Sequence, residues 1–309
     1  MKNNKLMFDL TNNSTSEPLL AEGVFGAALL QAKSVETFSK ILNAKDTVKL
    51  GLHDFGNVLQ SASCSPADQG AGTLDEKEVS VCALDVYFTV CQRTLEQSFI
   101  SAKLAAGSNN VDFLPSDFQA YLSTKLAEKI ASDIEVVAFQ GNTYMTGSTY
   151  PNTLCNGLQV KLSGDSTVVD VTATATTSSN VIANLTAVYN AISDEVMSKP
   201  DLAIYVSSNI ARAYRQALAN ASAEAFYNQK DLKMSFLDIE IIEAPGMSAN
   251  KMIAAQKSNL FLMSDLVSDF TDIMLIPQLD KTGKHQIVVS GSFKFAVDYA
   301  VGADIVYWS

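Results

Sequence analysis

Apolar residues recur every fourth position through PSDFQAYLSTKLAEKIASDIEVVAFQGN, residues 115–142. Phe118, Leu122, Leu126, Ile130 and Ile134 fall in register, and Tyr121, Val137 and Phe139 widen the stripe. That period places them on one helical face, while Lys125, Glu128, Lys129 and Asp133 lie off it, toward water. Both ends are marked. Ser116 and Gln119 have the spacing of a capping box, Pro115 stands just outside the first turn, and Gly141 supplies a stop. The pattern predicts one helix over 116–140. At about 1.5 Å per residue it makes a rod of roughly 40 Å, long enough to need other elements packed along it.

Ahead of the rod the period is two. Val48, Leu50 and Leu52 alternate with polar residues, and Cys82, Leu84, Val86, Phe88 and Val90 share one face of a strand. SASCSPADQGAGTLDEKE, between these runs, is rich in Ser, Pro, Gly and charge. The simplest reading is a long two-stranded hairpin over 47–91 with its tip at 61–78, which needs another surface because an isolated hairpin is marginal in water. Residues 1–46 read as an arm: an Asn/Ser/Thr-rich start, then Leu29, Leu30, Val35, Phe38, Ile41 and Leu42 in the spacing of a short amphipathic helix. Its apolar stripe is too thin to fold alone and must dock on its own body or on a neighbour. Residues 92–107 predict another short helix. Beyond Gly141 a turn-rich stretch leads into the Thr/Ser/Ala segment DSTVVDVTATATTSSN, an edge strand or a linker.

From about residue 177 helices and strands alternate. Ser179 or Asn180 caps a helix with Ile182, Leu185, Tyr189, Ile192 and Val196 on one face, and Pro200 ends it. A strand at 202–206, a helix at 207–220 and strands near 236–242, 252–255, 259–263 and 271–276 follow. The class is α+β, with helices packed on a central sheet. The tail from Gln286 is nearly all strand, broken at Gly291 and Gly302, and such runs must return to sheets begun earlier, tying the two halves together.

A chain of 309 residues, 47% hydrophobic, can bury a large core in two domains. No secretion signal and no membrane-length apolar window is visible, so the chain is expected to stay where it is made. With 33 acidic against 22 basic residues, a net charge of -11 and no basic cluster, it is a poor candidate for gripping nucleic acid directly, although an acidic wall can still surround DNA. The four cysteines, Cys64, Cys82, Cys91 and Cys155, form no metal-ligand pattern. Cys82 and Cys91, on one strand, stand about 30 Å apart on opposite faces. Cys64 could meet Cys82 across the hairpin, but buried or idle reduced thiols are the expectation.

Catalytic chemistry is missing. His53 and His285 lack partners at metal-ligand spacing, and no nucleophile elbow, dinucleotide turn or phosphate loop is present; Gly283 and Lys284 are followed by His285. The carboxylate pairs Asp265 with Asp269 and Asp75 with Glu76 read as solvated residues. No catalytic, cofactor-binding or metal-binding residue is expected. An arm, a projecting hairpin, a rod and a returning strand are what an assembly subunit presents to its neighbours.

The order of elements carries a resemblance. AEKIASDIEVVAFQGN followed by NGLQV, then VIANLTAVYNAISDEVMSKPDLAIYVSSNIARAYRQAL, then DIEIIEAPGM and MIAAQKSNLFLMSD, and finally HQIVVSGSFKFAVDYAVGADIVYWS are similar in turn to distinct parts of the major capsid proteins of tailed bacteriophages. Those parts are the spine helix and its turn, the axial helix–strand–helix, a strand turning into another, and the long return strand. The fold is the one named after phage Hong Kong ninety-seven (HK97-like), and the resemblance covers almost the whole chain. SVCALDVYFTVCQRTLEQSF also resembles capsid proteins of phages of Bacteroidetes hosts. The resemblance implies an N-terminal arm at 1–46, an extended loop at 47–91 and a peripheral domain at 92–175 holding spine helix 116–140 and joined by return strands 281–301. It also implies an axial domain at 176–280 joined by 302–309. It implies pentamers and hexamers closing an icosahedral shell around double-stranded DNA without sequence-specific binding, with portal and scaffolding or decoration proteins as partners, assembled in the host cytoplasm. The arm shows no evident scaffolding segment for a protease to remove, and neither partner of the family's Lys–Asn cross-link maps onto this chain. The rival readings are an encapsulin-like nanocompartment shell, another virion protein such as a tail component, and a small-molecule enzyme.

Overall fold

The computed structural model describes residues 34–42, 44–54, 61–62, 64, 73–91, 116–145, 153–221, 234–265, 271–278, 282–284 and 286–309. In chain order, a 3-10 turn at Val35–Thr37 leads into β1 (Ser39–Leu42), β2 (Thr47–Asp54), β3 (Thr73–Ser80) and β4 (Cys82–Cys91). Helix α1 (Ser116–Gln140), α2 (Leu158–Gly164) and β5 (Val169–Val171) follow. Next come α3 (Val181–Ala191), α4 (Asp194–Met197), β6 (Leu202–Ser207) and α5 (Ser208–Ala221). The remainder is strand: β7 (Ser235–Phe236), β8 (Ile239–Ala244), β9 (Met252–Gln256), β10 (Leu260–Ser264), β11 (Thr271–Pro277), β12 (Gln286–Tyr299) and β13 (Val306–Trp308).

Helix α1 has the expected bounds. Leu126, Ile130, Ile134, Val137 and Phe139 are buried, Lys125, Glu128 and Lys129 are exposed, and Asp133 is half-buried. The outer face carries two helical ion pairs, Lys125 to Glu128 at 2.7 Å and Lys129 to Asp133 at 2.6 Å, each worth about 0.3–0.5 kcal/mol. The side chains of Ser116, Phe118, Gln119, Tyr121 and Leu122 lie outside the described residues.

Two sheets cover the inner face of α1. The six-stranded sheet has the order β5-β13-β9-β6-β8-β7. Its central strands β6 and β9 are buried on both faces: Leu202, Ile204 and Val206 of β6 join a core with α3, α4 and α5, while Ala203 and Tyr205 join the core around α1. That explains the continuous apolar run of β6, which a one-faced strand would not need. The second sheet joins β1, β10, β12, β11 and β4, and sends Leu260, Leu262, Val289, Phe293, Phe295 and Val297 to the α1 core. β12 belongs to this sheet and β13 to the other, so the tail ties both together as expected, with its break at 300–305 and not at Gly291.

Several expectations change. The hairpin is β2 with β3, Thr47 opposite Ser80 and Asp54 opposite Thr73. β4 leaves it to pair with β12 over ten residues, from Cys82 opposite Phe295 to Cys91 opposite Gln286. Period two identifies a strand but not its partner, so 47–91 splits between two sheets. For the same reason β10 and β11, expected in the sheet of the axial domain at 176–280, pair instead with β12. The end of the arm is a strand and not a helix: β1 runs parallel to β10, and Val35 and Phe38 are buried against the chain's own body. In α3 the buried face is Val181, Leu185 and Val188; Ile182 is exposed, and the helix stops at Ala191 before Ser193 caps α4 by accepting the Val196 N–H. Leu237 and Asp238, with φ of 46° and 66°, turn the expected strand into β7 and β8. The stretch read as turns holds α2, and the Thr/Ser/Ala segment holds edge strand β5. Cys82 and Cys155 form a disulfide, Cα to Cα 6.1 Å, where reduced thiols were expected; the bridge spans 73 residues, beyond the reach of any local pattern. The helix expected at 92–107 lies outside the described residues.

Gly141 ends α1 for a different reason than a left-handed turn, since the positive-φ glycine among the described residues is Gly283. The chain doubles back so that the Gly157 N–H donates to the Gly141 carbonyl at 2.8 Å. A Cβ on Gly157 would stand 2.6 Å from the Val137 carbonyl oxygen and 2.8 Å from the Gly141 nitrogen, both backbone atoms that cannot move aside cheaply. We predict that Gly157→Ala lowers stability by about 3 kcal/mol, the cost of overpacking a rigid site, measured as an earlier midpoint in urea denaturation.

Candidate functional site

With no catalytic constellation expected, the informative chemistry is what roots the hairpin on the body. One face of the ladder, Val48, Leu50 and Val79, packs with Ala44 on Met263, Phe261 and Ala296 of β10 and β12. The other face carries Lys49, paired with Glu76 at 2.7 Å and Glu78 at 3.4 Å. These pairs are exposed to solvent, while the inward face holds a cation.

That cation is Lys77, which meets Asp298 of β12, its side chain only 6% exposed. The Lys77 ammonium donates to Asp298 Oδ1 at 2.6 Å and to the Tyr299 carbonyl at 2.9 Å, and it lies 3.6 Å from the centre of the Tyr299 ring. Lys161 of α2 donates to Asp298 Oδ2 at 2.7 Å and to the Val297 carbonyl at 2.7 Å. One buried carboxylate thus joins the hairpin, α2 and β12. Each oxygen has a charged donor, the condition under which a buried charge is tolerated. Beside it the Tyr299 hydroxyl donates to Asp165 Oδ2 at 2.8 Å. Burial, and then the neighbouring carboxylate, push the Tyr299 hydroxyl far up, while the Thr167 backbone N–H and hydroxyl hold Asp165 below the usual carboxylate range.

A second buried carboxylate fastens the arm. Glu135 of α1 is 4% exposed; its Oε1 accepts from the Ser34 N–H at 2.9 Å and from the Ser34 hydroxyl at 3.1 Å, and its Oε2 from the Gly246 N–H at 3.3 Å. Next to it is a cleft of about 260 Å³ lined by Glu128, Ala131, Ser132, Glu135, Val136, Pro245 and Gly246. The lining has no base or nucleophile beyond carboxylates and one hydroxyl. Deeper in, the Tyr205 and Thr37 hydroxyls are 2.7 Å apart, and burial raises the Tyr205 hydroxyl.

The residues weighed from sequence do not come together. Among the described residues no group of His, Cys, Asp and Glu is placed to hold a metal. His53 lies on β2 with its side chain outside the described residues, and His285 and Asp269 lie outside them. Asp265 accepts the Lys294 N–H, and Glu76 pairs with Lys49. Cys91 is exposed on the face of β4 opposite that of Cys82, as the odd offset requires. Sequence reading missed Asp298, Lys77, Lys161 and Glu135. The signal was there for two of them: Asp298 and Glu135 each interrupt an apolar run, where a charge must find a partner.

Comparison with solved structures places this architecture. The chain is similar to the satellite phage P4 procapsid structure that includes the size determination protein, at 15% identity over 92% of this chain and 98% of that one, TM-score 0.60. It is similar to the capsid of the native GTA particle at 14% identity, 90% and 89% coverage and TM-score 0.54. The virus-like particle of Pyrococcus furiosus gives 11% identity, 93% and 98% coverage and TM-score 0.52. No family model and no curated protein matches the sequence. The class is therefore defined by fold: an α+β chain with the HK97-like capsid fold.

We predict that Asp298→Ala, which strands two partly buried lysines, destabilises the subunit by about 3–5 kcal/mol. Lys77→Met, which leaves the Lys161 pair intact, should cost less, about 1–2 kcal/mol, and should speed amide hydrogen exchange in β2 and β3 more than in β6. Urea denaturation and exchange mass spectrometry check both.

Proposed function

We propose that this chain is the major capsid subunit of a tailed phage, assembling as pentamers and hexamers into an icosahedral shell around double-stranded DNA. The observation that carries the reading is a likeness to capsid structures that runs over nearly the whole of both chains. The role is structural, the location is the virion, and the shell forms in the host cytoplasm, with portal and scaffolding or decoration proteins as further partners.

The chain's own features support this. Its hairpin is anchored at the base and carries a polar outer face, the build of a projecting joint. Large apolar side chains stand in water, Tyr87 on β4 and Tyr144, Met145 and Leu154 beyond α1, and neighbouring subunits would cover them. The net charge of -11 suits a wall that keeps DNA off its surface. Modest contacts suffice, because many symmetric contacts per subunit add up in a closed shell. A cargo-holding compartment is the second reading, since a closed shell can enclose protein as well as DNA. Particle contents, DNA or protein, separate the two.

Electron microscopy of the purified protein at raised concentration should show closed hollow particles; tubes would overturn the reading. Because Asp54 faces Thr73, residues 55–72 can be replaced by a two-residue turn without disturbing the ladder. We predict that this variant stays folded by circular dichroism and forms no shells. Normal shells from it would show that the hairpin is not the joint.

A further inference from the structure

We propose that the Cys82–Cys155 bridge is a redox lock on the root of the hairpin: two thiols while the subunit is made and assembled, a disulfide once the particle meets an oxidising medium. The timing rests on the shell reading; the bond itself does not.

Cys82 opens β4, two residues past the end of β3, next to Val81, whose N–H donates to the Asp46 carbonyl and closes the hairpin base. Cys155 is 2% exposed, in the segment that doubles back against the end of α1. Their Cα atoms, 6.1 Å apart, lie within the span of an ordinary disulfide, so the two sulfurs meet without backbone movement. The ring they close, 73 residues apart in sequence, contains all of α1. Without the bond, the start of β4 is held to the body by its ladder with β12 and by apolar packing. With it, the turn from hairpin to sheet is tied covalently to the end of α1, and the tilt of the hairpin against the rod is set. A subunit fitting both five-fold and six-fold neighbours needs that tilt free, and a finished shell needs it held. Burial of Cys155 slows thiol–disulfide exchange in either direction, so the lock closes after assembly and resists reopening.

The chemistry balances by exchange with a small disulfide. One thiolate attacks it and releases one small thiol; the second attacks the mixed disulfide, forms the Cys82–Cys155 bond and releases the other. The protein loses two protons and two electrons, and the small disulfide is reduced to two thiols. In a reducing cytoplasm the same exchange runs backwards.

The test uses the full chain with the exposed Cys64 and Cys91 replaced by Ser, purified with reductant and then treated with oxidised glutathione. Alkylation under denaturing conditions should count two thiols before and none after, and mass spectrometry should find the Cys82 and Cys155 peptides joined. Oxidation should raise Tm by roughly 5 °C or more, and Cys155→Ala or Cys82→Ala should abolish the shift. Two alkylated thiols after oxidation, or a shift that survives in Cys155→Ala, overturns the bond. Subunits oxidised before assembly should form particles severalfold more slowly than subunits assembled reduced; equal rates overturn the timing. The thiol count and Tm are read on unassembled subunits, so failure of the shell reading leaves the bond's test intact.

Discussion

Everything in this fold depends on covering α1 from two sides at once. A helix of 25 residues with Leu126, Ile130, Ile134, Val137 and Phe139 on its inner surface holds more apolar area than one small sheet can remove from water, and water is the only alternative neighbour. The six-stranded sheet takes part of it through Ala203, Tyr205, Ile253 and Tyr307, and the five-stranded sheet takes the rest through Leu260, Val289, Phe295 and Val297. The two sheets are thereby one body. The tail makes the joint covalent, since β12 and β13 are separated by only six residues and belong to different sheets.

That constraint explains where charge is permitted inside. Asp298 and Glu135 sit where strand and helix meet what packs on them, and each fixes the place of elements that apolar packing already holds. Asp298 collects the hairpin through Lys77 and α2 through Lys161, and Glu135 collects the end of the arm through Ser34 and the turn at Gly246. Neither pair of links adds much net free energy, because desolvation offsets most of the attraction. Their effect is on geometry, since a carboxylate with two oxygens and fixed donors leaves one position for each partner. The end of the arm thus leaves the body at a defined place, and Lys77 ties the hairpin to one point on β12 through a single side chain.

Periodicity in the sequence reveals elements but not neighbours, and that divides what was legible from what was not. The bounds of α1 were readable because 25 residues keep one period; β6, β9 and β12 were readable as apolar runs. That β4 turns from β3 to β12 is set by contacts about two hundred residues apart, and that β10 and β11 both pair with β12 is a choice of partner that no local pattern records. The exposed Ile182 and buried Val188 show the same limit at smaller scale, because a helix's apolar residues exceed its buried ones and only the partner surface chooses among them. Gly141 was visible as a stop, but its reason, a close crossing of two backbones at Gly157, exists only in three dimensions. The capsid likeness was legible as an order of elements, and Lys77 was invisible because an exposed-looking lysine in a polar strand has no mark in sequence.

The division between rigid body and projecting parts follows from the same distribution of burial. The core around α1 and the core under α3 and α5 are apolar and extensive, whereas among the described residues the hairpin contacts the body through a small third cluster of Ala44, Leu50, Val79, Met263 and Ala296 and through Lys77 on Asp298 and Tyr299. A few apolar contacts and a partly exposed lysine hold an element less firmly than a two-sided core does, so the hairpin is the part of the described fold whose position costs least to change. On the proposed reading that is where a shell subunit needs compliance, since the same chain must meet neighbours at two curvatures while its body stays the same. A rigid wedge with one soft joint that is locked after assembly satisfies both demands; a uniformly rigid subunit would fit one environment, and a uniformly soft one would close no shell of defined size.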